Sequence, residues 1–165
     1  MTAEAGHRLL AFLRELQAVK VADSTWEFGG PEWEAAVDVV PRRWLALAFE
    51  ALDPVTGKRA TYDIDTDLYD LSQDRQREFA EEIERDIIEF LDNLRKGAVL
   101  RGNDGAKFVL VFPLDGSYVR VVQGSFIGSA STYPDLAAAL AGGDYVPLSR
   151  PHPQAWSGPA CARRR

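Results

Sequence analysis

Two kinds of hydrophobic spacing run along the chain. Over residues 5–19, Leu9, Phe12, Leu13 and Leu16 recur three and four positions apart, which is one face of a helix. Residues 42–52, "RRWLALAFEAL", and 58–67, "KRATYDIDTD", instead alternate in steps of two around "DPVTG", the pattern of a β-hairpin. Pro54 presets its own φ, Asp53 can accept hydrogen bonds along the turn, and Gly57 tolerates a positive φ. Pairing Asp53 with Lys58 sets Phe49 opposite Tyr62, Leu47 opposite Ile64 and Leu45 opposite Thr66. The other face then pairs Ala48 with Asp63, Ala46 with Asp65 and Trp44 with Asp67. A slip of one residue would set carboxylates against leucines, so the pattern itself selects the register.

A second helical stretch follows. Ser72 is the expected N-cap of a helix over residues 73–96 that stops at Gly97. Phe79, Ile83, Ile87, Phe90, Leu91 and Leu94 form its expected apolar stripe. Glu81, Glu82, Glu84, Glu89 and Asp92 are assigned to its solvated side. The strands "AVLR", "KFVLVFP", "SYVRVVQ" and "SFIGSAS" come next, with turns at Asn103-Asp104-Gly105 and Asp115-Gly116. The second turn pairs Phe112 with Val119 and Leu110 with Val121. "YPDLAAALAGG" reads as a short helix and "YVPL" as a last edge strand. Earlier in the chain, Thr25–Phe28 reads as a strand and Gly29-Gly30-Pro31 as a break. Residues 32–40 fit either a helical turn or a loop carrying Trp33.

These elements predict an α+β fold: a single antiparallel sheet built from hairpins, packed on one face by the helix over 73–96, with shorter N- and C-terminal helices. One domain is expected over residues 1–148. Residues 149–165, rich in proline and arginine and without apolar periodicity, are expected as a flexible tail.

Charge changes the functional picture more than it changes the fold. The net charge is −6, yet Arg150, Arg163, Arg164 and Arg165 lie beyond Ser149, where no acid occurs. Without these four the balance is 15 basic against 25 acidic groups, a body of −10. Such a body repels nucleic acid and anionic membranes and attracts a basic partner. Charges interrupt every apolar run before the roughly 18 residues a membrane span needs, and the first residues lack a signal-peptide pattern. The single cysteine, Cys161, allows no intrachain disulfide. A cytoplasmic protein is the expectation.

Candidate chemistry is sparse. Asp63, Asp65 and Asp67 match the first ligand positions of a calcium loop, but Leu68 stands where the sharp turn needs glycine, and Asp74 stands where a bidentate glutamate is needed. No metal site is expected. His7 and His152 belong to distant segments, which leaves no material for a triad or a zinc cluster. Glu78 and Glu82 have the spacing of an acid–base pair, but on so charged a helix they fit a solvated face. No catalytic residue and no cofactor is assigned.

The functional expectation is a noncatalytic acidic module that docks a basic protein surface, with Asp63, Asp65 and Asp67 supplying charge and Trp44 the apolar contact. An alternative is a small-molecule-binding protein or carboxylate-based enzyme, with or without a divalent cation, whose pocket lies between sheet and helix. The blandest reading of the aspartate row is the wet side of a strand. In general character, without a shared motif, the chain resembles the small acidic immunity proteins that neutralise basic nuclease toxins. That likeness is one of general character alone and carries no function by itself.

Overall fold

A computed structural model describes residues 6–40, 44–65, 74–123, 128–141 and 143–152, and these described residues form three helices and ten strands. The first helix, α1 (His7–Glu15), leads into a five-strand antiparallel meander. Its strands are β1 (Val19–Ala22), β2 (Thr25–Gly30), β3 (Trp33–Val40), β4 (Trp44–Leu52) and β5 (Arg59–Asp65). The long helix α2 (Asp74–Lys96) follows. A second antiparallel sheet then forms from β6 (Leu100–Asp104), β7 (Lys107–Leu114), β8 (Ser117–Gln123), β9 (Gly128–Tyr133) and β10 (Tyr145–Pro147). Its order is β10-β6-β7-β8-β9, with α3 (Leu136–Leu140) between the last two strands in sequence.

The expected single sheet is therefore two. Hairpin patterns specify neighbours in sequence, and every strand pair but β10–β6 here is such a neighbour. Whether two hairpin sets join edge to edge depends on contacts between distant residues. In this chain β5 lies against β7 and β8, and α2 packs against β4, β5 and β7. Phe90 of α2 is the hinge of that arrangement. Its ring meets Phe49 of β4 at 5.0 Å, Tyr62 of β5 at 5.6 Å and Phe112 of β7 at 4.9 Å between centroids. One apolar core thus joins α1, α2 and both sheets. The second sheet is also covered on its other face, where Val109 and Val111 pack with Ala139 of α3.

Local patterning accounts for most element boundaries. Asp53 donates its N–H to the Lys58 carbonyl at 2.8 Å, and its carboxylate accepts from Val55 N–H and the Thr56 hydroxyl. The register follows: Phe49 faces Tyr62, Leu47 faces Ile64, Ala48 faces Asp63 and Ala46 faces Asp65. At the β7–β8 turn Asp115 and Gly116 both take positive φ, and Phe112 faces Val119 as the two-residue turn demands. The β6–β7 turn consists of Gly105 and Ala106 rather than Asn103-Asp104-Gly105, since Asn103 and Asp104 already pair with Phe108 and Lys107. Helix α2 ends in a Schellman motif, with Ala98 N–H on the Asn93 carbonyl and Gly97 N–H on that of Leu94. Ser72, its expected N-cap, lies outside the described residues.

Three sequence expectations are corrected. Residues 33–40 form neither a helical turn nor a loop but the central strand β3, with Trp33, Ala35, Val37 and Val39 buried on alternate positions. Gly29 and Gly30 belong to β2 and do not break it; Gly30 lies so close to the Trp33 indole that a Cβ there would collide with it. On α2 the buried side is rotated from the expected stripe: Phe79 is exposed, whereas Glu84 is only 1% exposed. The uncapped head of α1 explains the burial of Glu84. Gly6 heads α1 at φ 100° and offers no capping side chain, so Glu84 supplies one from α2. Its Oε2 accepts from Gly6 N–H at 2.6 Å and Leu9 N–H at 3.2 Å, while Arg8 Nε donates to Oε1 at 3.0 Å.

Beyond β10 the chain stays on the body. Ser149 N–H reaches Glu32 Oε1 at 2.6 Å, and its carbonyl accepts from Trp33 Nε1 at 2.8 Å. His152 N–H then donates to the Gly29 carbonyl at 2.9 Å. The first residues of the segment expected as a tail are thus bonded to the first sheet, and residues 153–165 lie outside the described residues.

Candidate acidic face of the first sheet

The period of two that buries Trp33, Val37, Leu47 and Phe49 sends their neighbours to the opposite face of the first sheet. No helix packs on that face among the described residues, because α1 and α2 both lie on the core side. Three cross-strand rows define it. The first runs Glu27–Ala36–Ala48–Asp63, the second Thr25–Asp38–Ala46–Asp65, and the third Gly29–Glu34–Glu50–Thr61. The result is a lane of alanines, Ala36, Ala46 and Ala48, bordered by carboxylates on β2, β3 and β5.

Of the residues singled out from sequence, Trp44, Asp63 and Asp65 share this face, and Asp67 lies outside the described residues. Trp44 begins β4 opposite Val40 and is half-buried. Sequence reading missed Glu34 and Asp38 because β3 was not recognised as a strand, and Glu27 because β2 joins this face only through its pairing with β3. The signal was present: Trp33, Ala35, Val37 and Val39 alternate with Glu34, Ala36 and Asp38 as strictly as the residues of β5 do.

Partial burial, and after it the crowding of like charge, pushes two carboxyls of this face upward. Desolvation and the facing Glu50 carboxylate raise the pKa of Glu34. Partial desolvation, and then the neighbouring Asp65, raise that of Asp63, although the Phe49 N–H opposes the rise. Two groups temper the field: Arg59 pairs with Glu50 at 3.1 Å, and Asp38 accepts from the Thr25 hydroxyl. Among the described residues no grouping of side chains has the makings of a metal site.

The region between the first sheet and α2, where a ligand pocket was the alternative expectation, is occupied by the rings of Phe49, Tyr62, Phe90 and Phe112. Glu82, with the expected acid–base spacing, is exposed. Among the described residues no helix is long and apolar enough to cross a membrane. Comparison of the chain with protein-family models, with curated proteins and with solved structures finds no match.

Proposed function

We propose that the protein is a noncatalytic binding module whose acidic outer face on the first sheet docks a basic protein surface. The observation that carries this reading is the juxtaposition of Glu27, Glu34, Asp38, Glu50, Asp63 and Asp65 around an alanine lane, on a face that no helix covers among the described residues. Small floor residues let lysine or arginine stems lie flat while their charged ends reach the borders. Row ends such as Glu27 and Asp63 are three strand spacings apart, about 14–15 Å, which suits a strand or helix of a partner rather than a single ion. Trp44 at the margin adds the kind of apolar anchor that binding surfaces favour.

A fluorescein-labelled decapeptide of alternating lysine and alanine provides the direct test. Its affinity, read by anisotropy, should fall at least about fivefold when Glu34→Gln, Asp63→Asn and Asp65→Asn are combined. It should also weaken with salt, as exposed charge pairing does. Equal affinity of the two proteins at low salt would refute this use of the face.

A further inference from the structure

Each of the two open sheets has two edges, and an edge presents unpaired backbone N–H and C=O groups to any strand that reaches it. Three of these edges are blunted. Strand β1 is four residues long, carries Lys20 and has an irregular register between Lys20 and Ala22. Strand β5 carries Arg59, Asp63 and Asp65 and lies against β7 and β8. Strand β10 has three residues and ends in Pro147, which has no N–H. Strand β9 has none of these devices. Its six residues, "GSASTY", are uncharged, hold no proline and pair with β8 without a break. Among the described residues no strand pairs with its other side.

The turn between β7 and β8 decides which groups of β9 point away from the sheet. A two-residue turn closes on a pair that exchanges both hydrogen bonds, here Leu114 and Ser117. Alternation then directs the N–H and C=O of Val119 and Val121 to β7, and those of Tyr118, Arg120 and Val122 to β9. Their partners Tyr133, Ser131 and Ser129 bond inward, which leaves the backbone groups of Gly128, Ala130 and Thr132 facing outward. Ala130 and Thr132 stand beside the core residues Val121 and Val119 yet are exposed, so β9 projects past the first sheet.

We propose that β9 pairs antiparallel with β9 of a second copy of the chain, about a two-fold axis at Ala130. In this register Ala130 faces its own copy and Gly128 faces Thr132 of the other chain, so every outward N–H and C=O on both strands finds a partner. An axis at Ser131 would instead set Gly128 opposite Pro134, which has no N–H to give. Charge selects this occupant. Two copies joined at β5 would bring Asp63 and Asp65 of each against the other, whereas β9 lets two bodies of net charge −6 meet along a neutral strand. A basic partner finds no carboxylate on β9 to recognise. The pairing leaves the acidic face of the first sheet uninvolved and stands independently of the function proposed above.

Sedimentation velocity and amide hydrogen exchange of the full chain between about 10 μM and 1 mM read the contact, a range suited to an interface smaller than that of a permanent dimer. Monomer should pass to dimer across the range. The amides of Ala130 and Thr132 should slow at least about tenfold at the upper end, while those of Ser129 and Ser131, bonded to β8, stay slow throughout. Ala130→Pro removes an outward donor without touching the β8 ladder and should abolish both changes. Ser129 and Ser131 are exposed and face each other across the axis, so their replacement tests the register without relying on proline. Ser129→Lys with Ser131→Lys sets like charges opposite one another and should weaken the dimer at least about fivefold, whereas Ser129→Lys with Ser131→Glu sets opposite charges there and should strengthen it about twofold or more. A monomer at the upper concentration overturns the pairing, and so does a dimer indifferent to the lysine pair. Slow amides at Ala130 and Thr132 in the dilute monomer would place another segment of the same chain on this edge and overturn the second copy as its occupant.

Discussion

Glu84 Oε2 accepts the Gly6 N–H at 2.6 Å, across 78 positions of sequence. The contact closes the N-terminus of α1 with a carboxylate borrowed from α2. A Glu84→Ala substitution leaves two backbone donors and Arg8 without this acceptor, and should cost about 2–4 kcal/mol by the worth of charge-assisted bonds. Glu82→Ala, two positions away and exposed, should change stability by less than about 0.5 kcal/mol. Urea denaturation of both variants checks the contrast; equal losses would contradict the capping role.

Phe90 should be the most sensitive single side chain in the core. It is fully buried and meets aromatic partners in both sheets. Phe90→Ala is expected to cost about 3–5 kcal/mol, and Ile87→Ala, one turn away and equally buried, about 2–5 kcal/mol. A loss below about 1 kcal/mol for Phe90→Ala in thermal melts would mean the sheets do not share it.

Glu34 and Asp63 should lower stability at neutral pH. Glu34 and Asp63 bind protons more tightly in the folded protein than in the unfolded chain. Stability attributable to them therefore falls as pH rises through the region just above their ordinary values of 4.5 and 3.8, and is regained on acidification. Relative to the wild type, Glu34→Gln with Asp63→Asn should gain about 0.3–1 kcal/mol at pH 7 in low salt, given the exposure of the groups. The gain should shrink with added salt and close as the pH falls through that window. A gain that grows on acidification would reverse the sign.

Asp53 should behave in the opposite sense. Burial pushes its carboxyl up, but the Val55 and Thr56 N–H groups, the Thr56 hydroxyl and Arg101 together hold it below the ordinary value. Its contribution is present above pH 3.8 and is lost as the pH falls further. Asp53→Ala should cost about 1–2 kcal/mol at pH 7, as lost caps do, and progressively less in acid. A cost independent of pH between 7 and 2 would remove the charge from the account.

Gln17 ends α1 in the left-handed region at φ 59°, with Ala18 N–H on the Leu13 carbonyl. That position favours glycine, so Gln17→Gly should raise stability by up to about 1 kcal/mol. A destabilised variant would show that the glutamine side chain holds something the backbone argument omits.

What the sequence disclosed and what it withheld divide along the range of the interactions. The Asp53–Lys58 hairpin and the Asp115-Gly116 turn were legible because turn chemistry and alternation agreed over a dozen neighbouring residues. Strand β3 alternates just as well, but Pro31 and the glycines before it obscured its start. The pair of sheets was not legible, since it depends on Phe90 meeting rings from both. Glu84 stands in the line of Ala80, Ile87, Leu91 and Leu94 on α2, all buried. A lone carboxylate in such a line reads as solvated unless the glycine that needs it, 78 residues earlier, is known. At the acidic face, β4 and β5 gave Trp44, Asp63 and Asp65 their common side; the β3 contribution waited on the missed strand.

The Trp33 indole bond has a consequence for biosynthesis. Trp33 is fully buried in the third strand to be made, yet its N–H is satisfied by a carbonyl 116 residues downstream. The same wait applies to the head of the first helix, whose acceptor Glu84 follows the entire first sheet. A nascent chain that has emerged only through β5 therefore carries both a buried-to-be indole and a helix terminus with no protein partner to bond. Its first sheet therefore lacks both of these bonds until α2 and the residues around Ser149 have been made.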